Sequence, residues 1–292
     1  NARIFALAPE RTFPRFARRP LASLKRRLEL TSGEGPWVLF LTDPFTDHFY
    51  PEVGLRALEL LRRLGYRVHF LPVSGAGRPL LSKGFLGAAR RHAERVVRAI
   101  QAVDPQGVYP VVGVEPSEIY TLSDEYPDLV RAAVLNREAL QKLAGRAWSM
   151  EELLLRWIKG AAAGSERFET EELRIAIISP QASQKNFSPS PKTQVLLHGH
   201  CYQKARPPVA DGLPVGVQAT AALLAACGYT VQVVDAGCCG MAGAFGYEDR
   251  HYPLSMQIGE LKLFPTLRQA NSDTIIAASG ISCQAQILDG VG

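Results

Sequence analysis

The chain has 292 residues, of which 47% are apolar and 21% are charged, and its formal net charge is +5 at pH 7. This composition is typical of an ordinary globular protein and excludes a disordered tail, a collagen-like repeat and a coiled coil. No apolar run approaches the roughly 18–20 residues that a membrane-spanning helix needs, so we expect no transmembrane segment. The first residues have no signal-peptide pattern, and because the first of them is Asn we expect a longer chain upstream.

The N-terminal stretch 1–35 carries the excess of positive charge. It holds eight of the 33 basic residues and three of the 28 acidic residues, so the rest of the chain is balanced. We therefore predict no basic face on the body of the protein and no nucleic-acid partner. We interpret this basic arm as a solvated linker, or as a strap onto a neighbouring domain, in preference to a site for nucleic acid or anionic lipid.

The remainder of the chain contains one pattern twice. Each copy has a strand, a loop, a helix, a glycine, a second strand and a Gly-rich loop, and the glycines after the helices are Gly65 and Gly228. The clearest strands are short, apolar and rich in β-branched residues, as buried parallel strands are. They lie at 38–41, 68–71, 195–197 and 231–234.

This alternation of strands and helices predicts a parallel sheet built from βαβ units. The fold class predicted is α/β, with two similar parallel-sheet modules related by internal duplication. The boundaries we expect are 1–35 for the basic arm, 36–160 for module one and 161–292 for module two. Near the junction we expect a helix at 149–159 and then a looser stretch at 160–192.

All five cysteines lie after residue 200. Their clustering in one half of a chain without a signal-peptide pattern indicates a reducing compartment and a metal or redox site. Cys201, Cys238, Cys239 and Cys283 each follow a predicted strand of module two. Because ligands gather beyond the carboxyl ends of parallel strands, we expect these four thiols to meet at one end of the module. Cys227 lies on the apolar face of a helix, and we assign it to the core.

Several thiolates that converge from different loops suit an iron–sulfur cluster or a soft metal ion. Gly240 and its neighbouring glycines let the backbone approach such a group and donate N–H bonds to it. His200 and, with less weight, His198 are candidates for an additional ligand or a hydrogen-bonding neighbour. Two alternatives stay open on the residues alone: a structural zinc site, and a thiol enzyme in which Cys238 or Cys239 is the nucleophile.

Three motifs carry a resemblance to a known family. They are LHGHCYQKA at 197–205, DAGCCGMAG at 235–243 and the stretch 279–283 that ends in a cysteine. They resemble the cysteine-rich CCG domain, which occurs as a tandem pair in the heterodisulfide reductases, in the iron–sulfur component of glycolate oxidase and in lactate-utilisation proteins. The sequence is most similar to the C-terminal part of large bacterial FAD-linked oxidases of the D-lactate dehydrogenase kind. The resemblance covers about residues 36–292.

The resemblance implies an electron-transfer module of an FAD-dependent 2-hydroxy-acid dehydrogenase of the lactate or glycolate type. The four converging cysteines would hold a [4Fe–4S] cluster, with zinc as the alternative. FAD would lie only in a missing flavin domain or a partner protein, a ferredoxin-like domain would lie upstream, and a quinone or another carrier would accept the electrons. The location implied is cytoplasmic or peripheral at the inner membrane. Because the chain has no Gly-x-Gly-x-x-Gly turn after a first strand, we expect no dehydrogenase activity from it alone.

Module one departs from the family pattern. The positions that align with the cysteines are Pro44, Gly75, Ala76 and Glu118, which supply no thiolate, so we expect a scaffold or docking face without a cluster. In module two Cys283 is single where the full pattern has Cys-x2-Cys. This difference favours an ordinary four-thiolate cluster or a zinc ion over the five-cysteine cluster that cleaves disulfides in the heterodisulfide reductases.

Polar residues nevertheless follow the predicted strands of module one. They are Asp43, His48, Arg78, Lys83 and Glu115. Such residues could line a groove that binds a substrate or a quinone head group, or they could form a hydrogen-bonded shell of loops.

Overall fold

The computed structural model describes residues 6–167, 171, 175 and 193–292. The chain forms two compact units. The N-terminal unit contains Phe16–Phe187 and Pro207–Pro214, whereas the cysteine unit, which holds all five cysteines, contains Asn1–Arg15, Ser188–Arg206 and Val215–Gly292. Residues 1–5 of the predicted basic arm and residues 168–170, 172–174 and 176–192 of the predicted loose stretch lie outside the described residues.

The N-terminal unit is built on a four-stranded sheet in which all neighbouring strands are parallel. Its strands are β1 (Trp37–Thr42), β2 (Arg67–Ser74), β3 (Val111–Gly113) and β4 (Ala147–Ser149). Their order across the sheet is β2-β1-β3-β4, and all residues of the inner strand β1 after Trp37 are buried. The strands predicted at 38–41 and 68–71 are confirmed as β1 and β2.

Short and long helices connect and cover these strands. They are α1 (Leu21–Leu24), α2 (Pro44–His48), α3 (Pro51–Arg63), α4 (Arg78–Ser82), α5 (Leu86–Val103), α6 (Pro116–Ile119), α7 (Thr121–Asp124), α8 (Tyr126–Leu129), α9 (Arg137–Gly145) and α10 (Met150–Ile158). Helix α3 buries Leu58 and Leu61 and ends before Gly65, whose φ of 86° is the left-handed conformation that glycine favours after a helix. Among the described residues, no helix is both long and apolar enough to cross a membrane.

The cysteine unit is built on a three-stranded parallel sheet with the order β6-β5-β7. Its strands are β5 (Gln194–His198), β6 (Thr230–Val233) and β7 (Ile275–Ala278), and its helices are α11 (Cys201–Ala205), α12 (Gly216–Ala226), α13 (Tyr252–Leu261), α14 (Leu263–Arg268) and α15 (Ile281–Val291). An apolar cluster that includes Met241, Phe264 and Leu267 also buries Cys239 and Cys283. The α/β fold with two parallel sheets is therefore confirmed.

The segment 6–15 is packed into the cysteine unit, which differs from the solvated linker that its charge indicated. Leu7 forms an antiparallel bridge with Glu248, and the guanidinium of Arg11 is fully buried. In the N-terminal unit, Leu21 and Leu30 of the same arm are buried as well. Apolar residues alternate with arginines along this stretch, so the chain can bury them while most of the charges stay in solvent.

Candidate metal centre

The first loop of the centre joins β5 to α11. The side chain of His200 caps α11, since its Nδ1 accepts a hydrogen bond of 3.2 Å from the backbone N–H of Tyr202. In return, the side-chain Oε1 of Gln203 accepts from the backbone N–H of His200 at 3.0 Å, which completes a capping box. This local structure places Cys201 at the first residue of the helix, directly beyond the carboxyl end of the sheet.

The second loop follows β6 and carries Cys238 and Cys239. The chain can pass behind the two cysteines only because residue 240 is a glycine: its φ is 101°, and a Cβ there would lie 2.1 Å from the backbone oxygen of Ser255. The backbone N–H of Gly240 in turn donates to the sulfur of Cys238 at 3.3 Å. The predicted role of Gly240 as a close-packed N–H donor is therefore consistent with its geometry.

The third loop joins β7 to α15 and carries Cys283 in the first turn of that helix. Gly280 precedes the helix, and a Cβ at this position would lie 2.3 Å from the ring of His200. The absence of a side chain therefore allows the first and third loops to pack directly on each other.

The structure brings the four thiols together in a row. Cys201 is hydrogen-bonded to Cys238, Cys238 to Cys239, and Cys239 to Cys283. Their exposure falls along this row, from the exposed Cys201 through the half-buried Cys238 to Cys239 and Cys283, which are buried. All five cysteines are free thiols. The row leads from solvent into the core of the unit.

Cys238 is the group of this row that most readily becomes a thiolate. Hydrogen bonds from the thiols of Cys201 and Cys239 lower its pKa, because they stabilise the charged sulfur. The same bonds, together with burial, raise the pKa of Cys201 and of Cys239, because each of these thiols is a donor to Cys238. A negative charge in the row is therefore most stable on Cys238.

Of the two candidate histidines, His198 is the one that faces the buried thiols. A ring nitrogen of His198 and the sulfurs of Cys239 and Cys283 all lie within 4.8 Å of one another. The side chain of His198 is fully buried, and neither ring nitrogen has a hydrogen-bond partner among the described residues. Burial, reinforced by the positive charge of Lys204, lowers the pKa of His198 from 6.5 to about 4. His200 instead uses its Nδ1 for the helix cap.

Two basic residues that the sequence did not single out hold the cysteine loops. The ammonium of Lys204 donates to the backbone oxygens of Ala236 and Gly237, at 2.5 and 2.7 Å, and so supports the loop that leads to Cys238. Its position three residues after Cys201, on the same short helix, was the available signal.

Arg11 is the second of these residues. Its guanidinium donates to the backbone oxygen of Gly246, to the hydroxyl of Ser255 and to the carboxylate of Asp289, at 2.8, 2.8 and 2.9 Å. It therefore joins the loop after Cys239 to α13 and to α15, the helix that carries Cys283. Nothing in the local sequence points to this role, because all of its partners lie more than 230 residues away in the chain.

The donor set fits a soft metal ion or an iron–sulfur cluster. Thiolates and a neutral imidazole are the ligands that zinc and iron–sulfur centres take in proteins. Around one tetrahedral ion with bonds of about 2.3 Å, sulfur atoms lie about 3.8 Å apart. One nitrogen of His198 and the sulfurs of Cys239 and Cys283 lie within 4.8 Å of one another. The two orphaned ring nitrogens of His198 and the open space beside Gly237 and Gly243 are also consistent with a further group at this site.

The polar residues of module one have a different arrangement. Asp43 and Glu115 are buried at the N-termini of α2 and α6, where their carboxylates accept backbone N–H bonds. Glu118, which the sequence identified only as an aligned position, lies in the same environment. Its carboxylate accepts from the backbone N–H groups of Ala76 and Gly77 at 2.5 and 3.1 Å.

Burial and mutual repulsion perturb these carboxyls. Burial, with the charge of Glu115 as the second cause, raises the pKa of Asp43 from 3.8 to about 6. Burial also raises the pKa of Glu118 from 4.5 to about 7, although its backbone hydrogen bonds act in the opposite direction.

Of the other predicted groove residues, Arg78 contacts this buried group, because its backbone N–H donates to the carboxylate of Glu118 at 3.4 Å. His48 is half-exposed and lies 3.6 Å from the carboxylate of Asp47, Arg78 forms an ion pair with Glu125, and Lys83 follows α4 as an exposed residue. Asp43 and Glu115 are buried and hydrogen-bonded to their own loops, as expected for the hydrogen-bonded shell of loops that was the alternative to a groove. A ligand-binding groove that includes all five residues stays a prediction.

The cysteine unit matches a known family. Residues 195–288 match the family model described as a cysteine-rich domain, CCG. The predicted resemblance to the CCG family is confirmed over these residues.

Curated relatives extend the similarity over most of the chain. D-2-hydroxyglutarate dehydrogenase of Escherichia coli (strain K12) is 26% identical over 257 residues, which are 87% of this chain and 21% of the relative. The enzyme of the same name from Haemophilus influenzae is 25% identical, over 91% of this chain and 23% of the relative. One of the subunits of the anaerobic glycerol-3-phosphate dehydrogenase of Escherichia coli (strain K12) is 24% identical, over 82% of this chain and 52% of the relative. The chain thus spans between about a fifth and half of the length of these relatives.

Proposed function

We propose that the cysteine unit holds an iron–sulfur centre and passes electrons within an oxidoreductase that oxidises a 2-hydroxy acid. The observation that carries this proposal is the row of four thiols, supplied by three loops at the carboxyl end of one parallel sheet. The match to the CCG domain and the similarity to proteins named as dehydrogenases support it independently.

The ligands we propose are Cys201, Cys238, Cys239 and Cys283, and the group is a [4Fe–4S] cluster. Such a cluster accepts and releases one electron at a time when it is bound. The protein contributes the surroundings: Gly240 donates an N–H to sulfur, and Lys204 holds the loop before Cys238. Because Cys201 is exposed whereas Cys283 is buried, electrons would enter or leave on the Cys201 side.

The remaining chemistry belongs to other domains or other chains. We propose that a flavin removes the electrons from the substrate, that a ferredoxin-like domain lies between the flavin and this chain, and that a quinone or another carrier receives the electrons. The relatives named as D-2-hydroxyglutarate dehydrogenases favour a dicarboxylic 2-hydroxy acid over lactate or glycolate as the substrate. The proposed location is cytoplasmic or peripheral at the inner membrane.

We also propose that the two modules, 36–160 and 161–292, arose by duplication and that only the second kept a metal centre. In both sheets the first strand along the chain, β1 or β5, lies between the second and the third. Gly65 and Gly228 follow the helix between the first two strands, and both have positive φ, at 86° and 92°. The N-terminal unit would then be a scaffold or a docking face.

A structural zinc site is the second candidate. The observation that favours it is the close approach of a His198 nitrogen to the sulfurs of Cys239 and Cys283, all within 4.8 Å. A single tetrahedral ion requires only four donors within this range, and it would stabilise the unit without redox chemistry.

Metal and sulfide analysis of anaerobically prepared protein separates the two candidates. We expect about four iron and four sulfide per chain, with a broad visible absorption that bleaches on reduction. Single Cys→Ser substitutions at residues 201, 238, 239 and 283 should lower the iron content. Cys227→Ser is the matched control and should retain it, since Cys227 follows α12 outside the row. One zinc per chain without iron would overturn the electron-transfer function.

A further inference from the structure

The last residue of β5 is His198, a buried histidine whose hydrogen-bonding groups are not satisfied within the described part of the chain. His198 pairs with Ala278 in the sheet, and its side chain is fully buried. Neither Nδ1 nor Nε2 has a hydrogen-bond partner among the described residues. Buried polar groups in native proteins are nearly always hydrogen-bonded, so an imidazole with two orphaned nitrogens requires a physical explanation.

The proximity of the ring to the buried thiols supplies that explanation. One ring nitrogen lies within 4.8 Å of the sulfurs of both Cys239 and Cys283, the two buried thiols of the row. A histidine ring carries at least one N–H in either protonation state, and it can therefore act as a donor at this position. The groups whose charges act on the ring are Lys204, Cys238 and His200, which lie in or beside the cysteine loops.

A hydrogen bond to sulfur suits these surroundings better than direct ligation does. A histidine that ligates a metal normally donates its other N–H to a carboxylate, a backbone carbonyl or a water. No such protein acceptor contacts His198 among the described residues, so ligation would leave a buried N–H without a protein partner. Donation to sulfur would leave only an unused lone pair.

We propose that His198 is a positioning residue that donates an N–H hydrogen bond to the sulfur atoms on the Cys239–Cys283 side of the metal centre. This inference rests on the proposed function, because it assumes an iron–sulfur centre at the four thiols. Reduction adds negative charge to such a centre, and an N–H dipole directed at its sulfur stabilises that charge. His198 therefore raises the reduction potential of the centre without being one of its ligands.

The test compares His198→Leu and His198→Gln with the wild-type chain, prepared anaerobically. Leucine fills a similar volume without a donor, whereas glutamine retains an N–H donor. We expect both variants to keep the iron and sulfide content, His198→Leu to have a lower midpoint potential, and His198→Gln to recover part of the difference. His69→Gln is the matched control, because His69 lies on β2 in the N-terminal unit. The midpoint potential of the centre in this variant should equal that of the wild type.

Pulsed electron paramagnetic resonance of the reduced wild-type protein gives a readout that does not depend on a stable variant. We expect a weak coupling to an exchangeable proton that depends on His198, and no strong nitrogen coupling. A strong coupling to nitrogen in protein labelled with 15N-histidine would show ligation and overturn the donor role. An iron-loaded His198→Leu variant with an unchanged potential would also overturn it and leave the proposed function intact. Wild-type protein without iron would overturn the proposed function itself.

Discussion

The loops beyond the carboxyl ends of the strands differ in chemistry between the two units. In the N-terminal unit the side chains at this edge are carboxylates, and they accept hydrogen bonds from backbone N–H groups of the unit itself. In the cysteine unit they are thiols that contact one another, beside a histidine without a protein partner among the described residues. The carboxylates of the first edge are hydrogen-bonded to their own loops, although Thr42 Oγ1, Asp43 Oδ2 and Ser74 Oγ have no partner among the described residues. The thiols of the second edge are available to a ligand.

Glu118 illustrates the difference. In the proposed duplication it occupies the position that aligns with Cys283. Its carboxylate accepts from the N–H groups of Ala76 and Gly77, in the loop that would align with the two adjacent cysteines. A Cβ on Gly75 would lie 2.9 Å from this carboxylate. In the N-terminal unit a side chain therefore fills the space beside the loop after β2.

The largest difference in stability between the two units is expected when the cysteine unit loses the buried guanidinium of Arg11. Arg11→Met leaves the carboxylate of Asp289 buried without its partner, which typically costs about 3–5 kcal/mol. Hydrogen–deuterium exchange should show faster exchange in α13 and α15, with no change in β1 and β2.

A double variant provides the control for Arg11. In Arg11→Met with Asp289→Leu the unpaired charge is gone, and part of the protection in α15 should return. Equal protection in Arg11→Met and in the wild type would contradict the anchoring role of the segment 6–15.

The second effect is a loss of stability with rising pH that we expect of the N-terminal unit. The pKa of Asp43 rises from 3.8 to about 6 and that of Glu118 from 4.5 to about 7, so both bind a proton more tightly in the folded chain. Their contribution to stability is complete below the unfolded pKa and is lost as pH rises through the folded pKa. At about 1.4 kcal/mol per pKa unit, each group lowers the free energy of unfolding by roughly 3 kcal/mol between pH 4 and pH 7.5.

Tryptophan fluorescence isolates this effect. The chain has three tryptophans, Trp37, Trp148 and Trp157, and all of them lie in the N-terminal unit. Urea unfolding followed by their emission should give a higher midpoint at pH 4.5 than at pH 7.5. Asp43→Asn with Glu118→Gln should flatten the dependence, and an equally steep curve in this double variant would assign the effect to other groups.

The edge of the cysteine unit was largely predictable from the sequence, because its features depend on local patterns. Short β-branched strands predict a parallel sheet, and the carboxyl ends of parallel strands lie at one edge, which brings Cys201, Cys238 and Cys283 together. The three-residue strand β4 was not predicted, since it is too short to show a periodic pattern. The contacts of Arg11 join distant parts of the chain, and they have no local signal.

On the sequence, His200 was the favoured histidine, although one signal for the opposite choice was present. Gln203 lies three residues after His200, and this spacing is typical of a capping box. It would have assigned His200 to the start of α11 and left His198, the last residue of the strand, as the side chain that faces the thiols.

A third effect is a difference in stability and iron content between alanine substitutions at two glycines of the cysteine loop. Gly240 and Gly243 both have positive φ, at 101° and 66°, but a Cβ at Gly240 would overlap the backbone oxygen of Ser255, whereas one at Gly243 would meet nothing within 4 Å. Gly243→Ala should therefore cost only about 1–2 kcal/mol of backbone strain. Gly240→Ala should cost more and lower the iron content, because Cys239 must move. Equal iron content in the two variants would contradict the close packing behind the cysteines.

The smallest effect compares two helix caps, one in each unit. Ser149 and Glu152 form a capping box at α10, as His200 and Gln203 do at α11. Ser149→Ala should lower the free energy of unfolding of the N-terminal unit by about 1 kcal/mol, measured by tryptophan fluorescence, without a change in iron content. His200→Ser keeps a capping oxygen and removes only the imidazole. If His200 acts through the cap alone, this variant retains its iron. A loss of iron would instead show that the ring of His200 contributes to the metal centre, and would contradict the preference for His198.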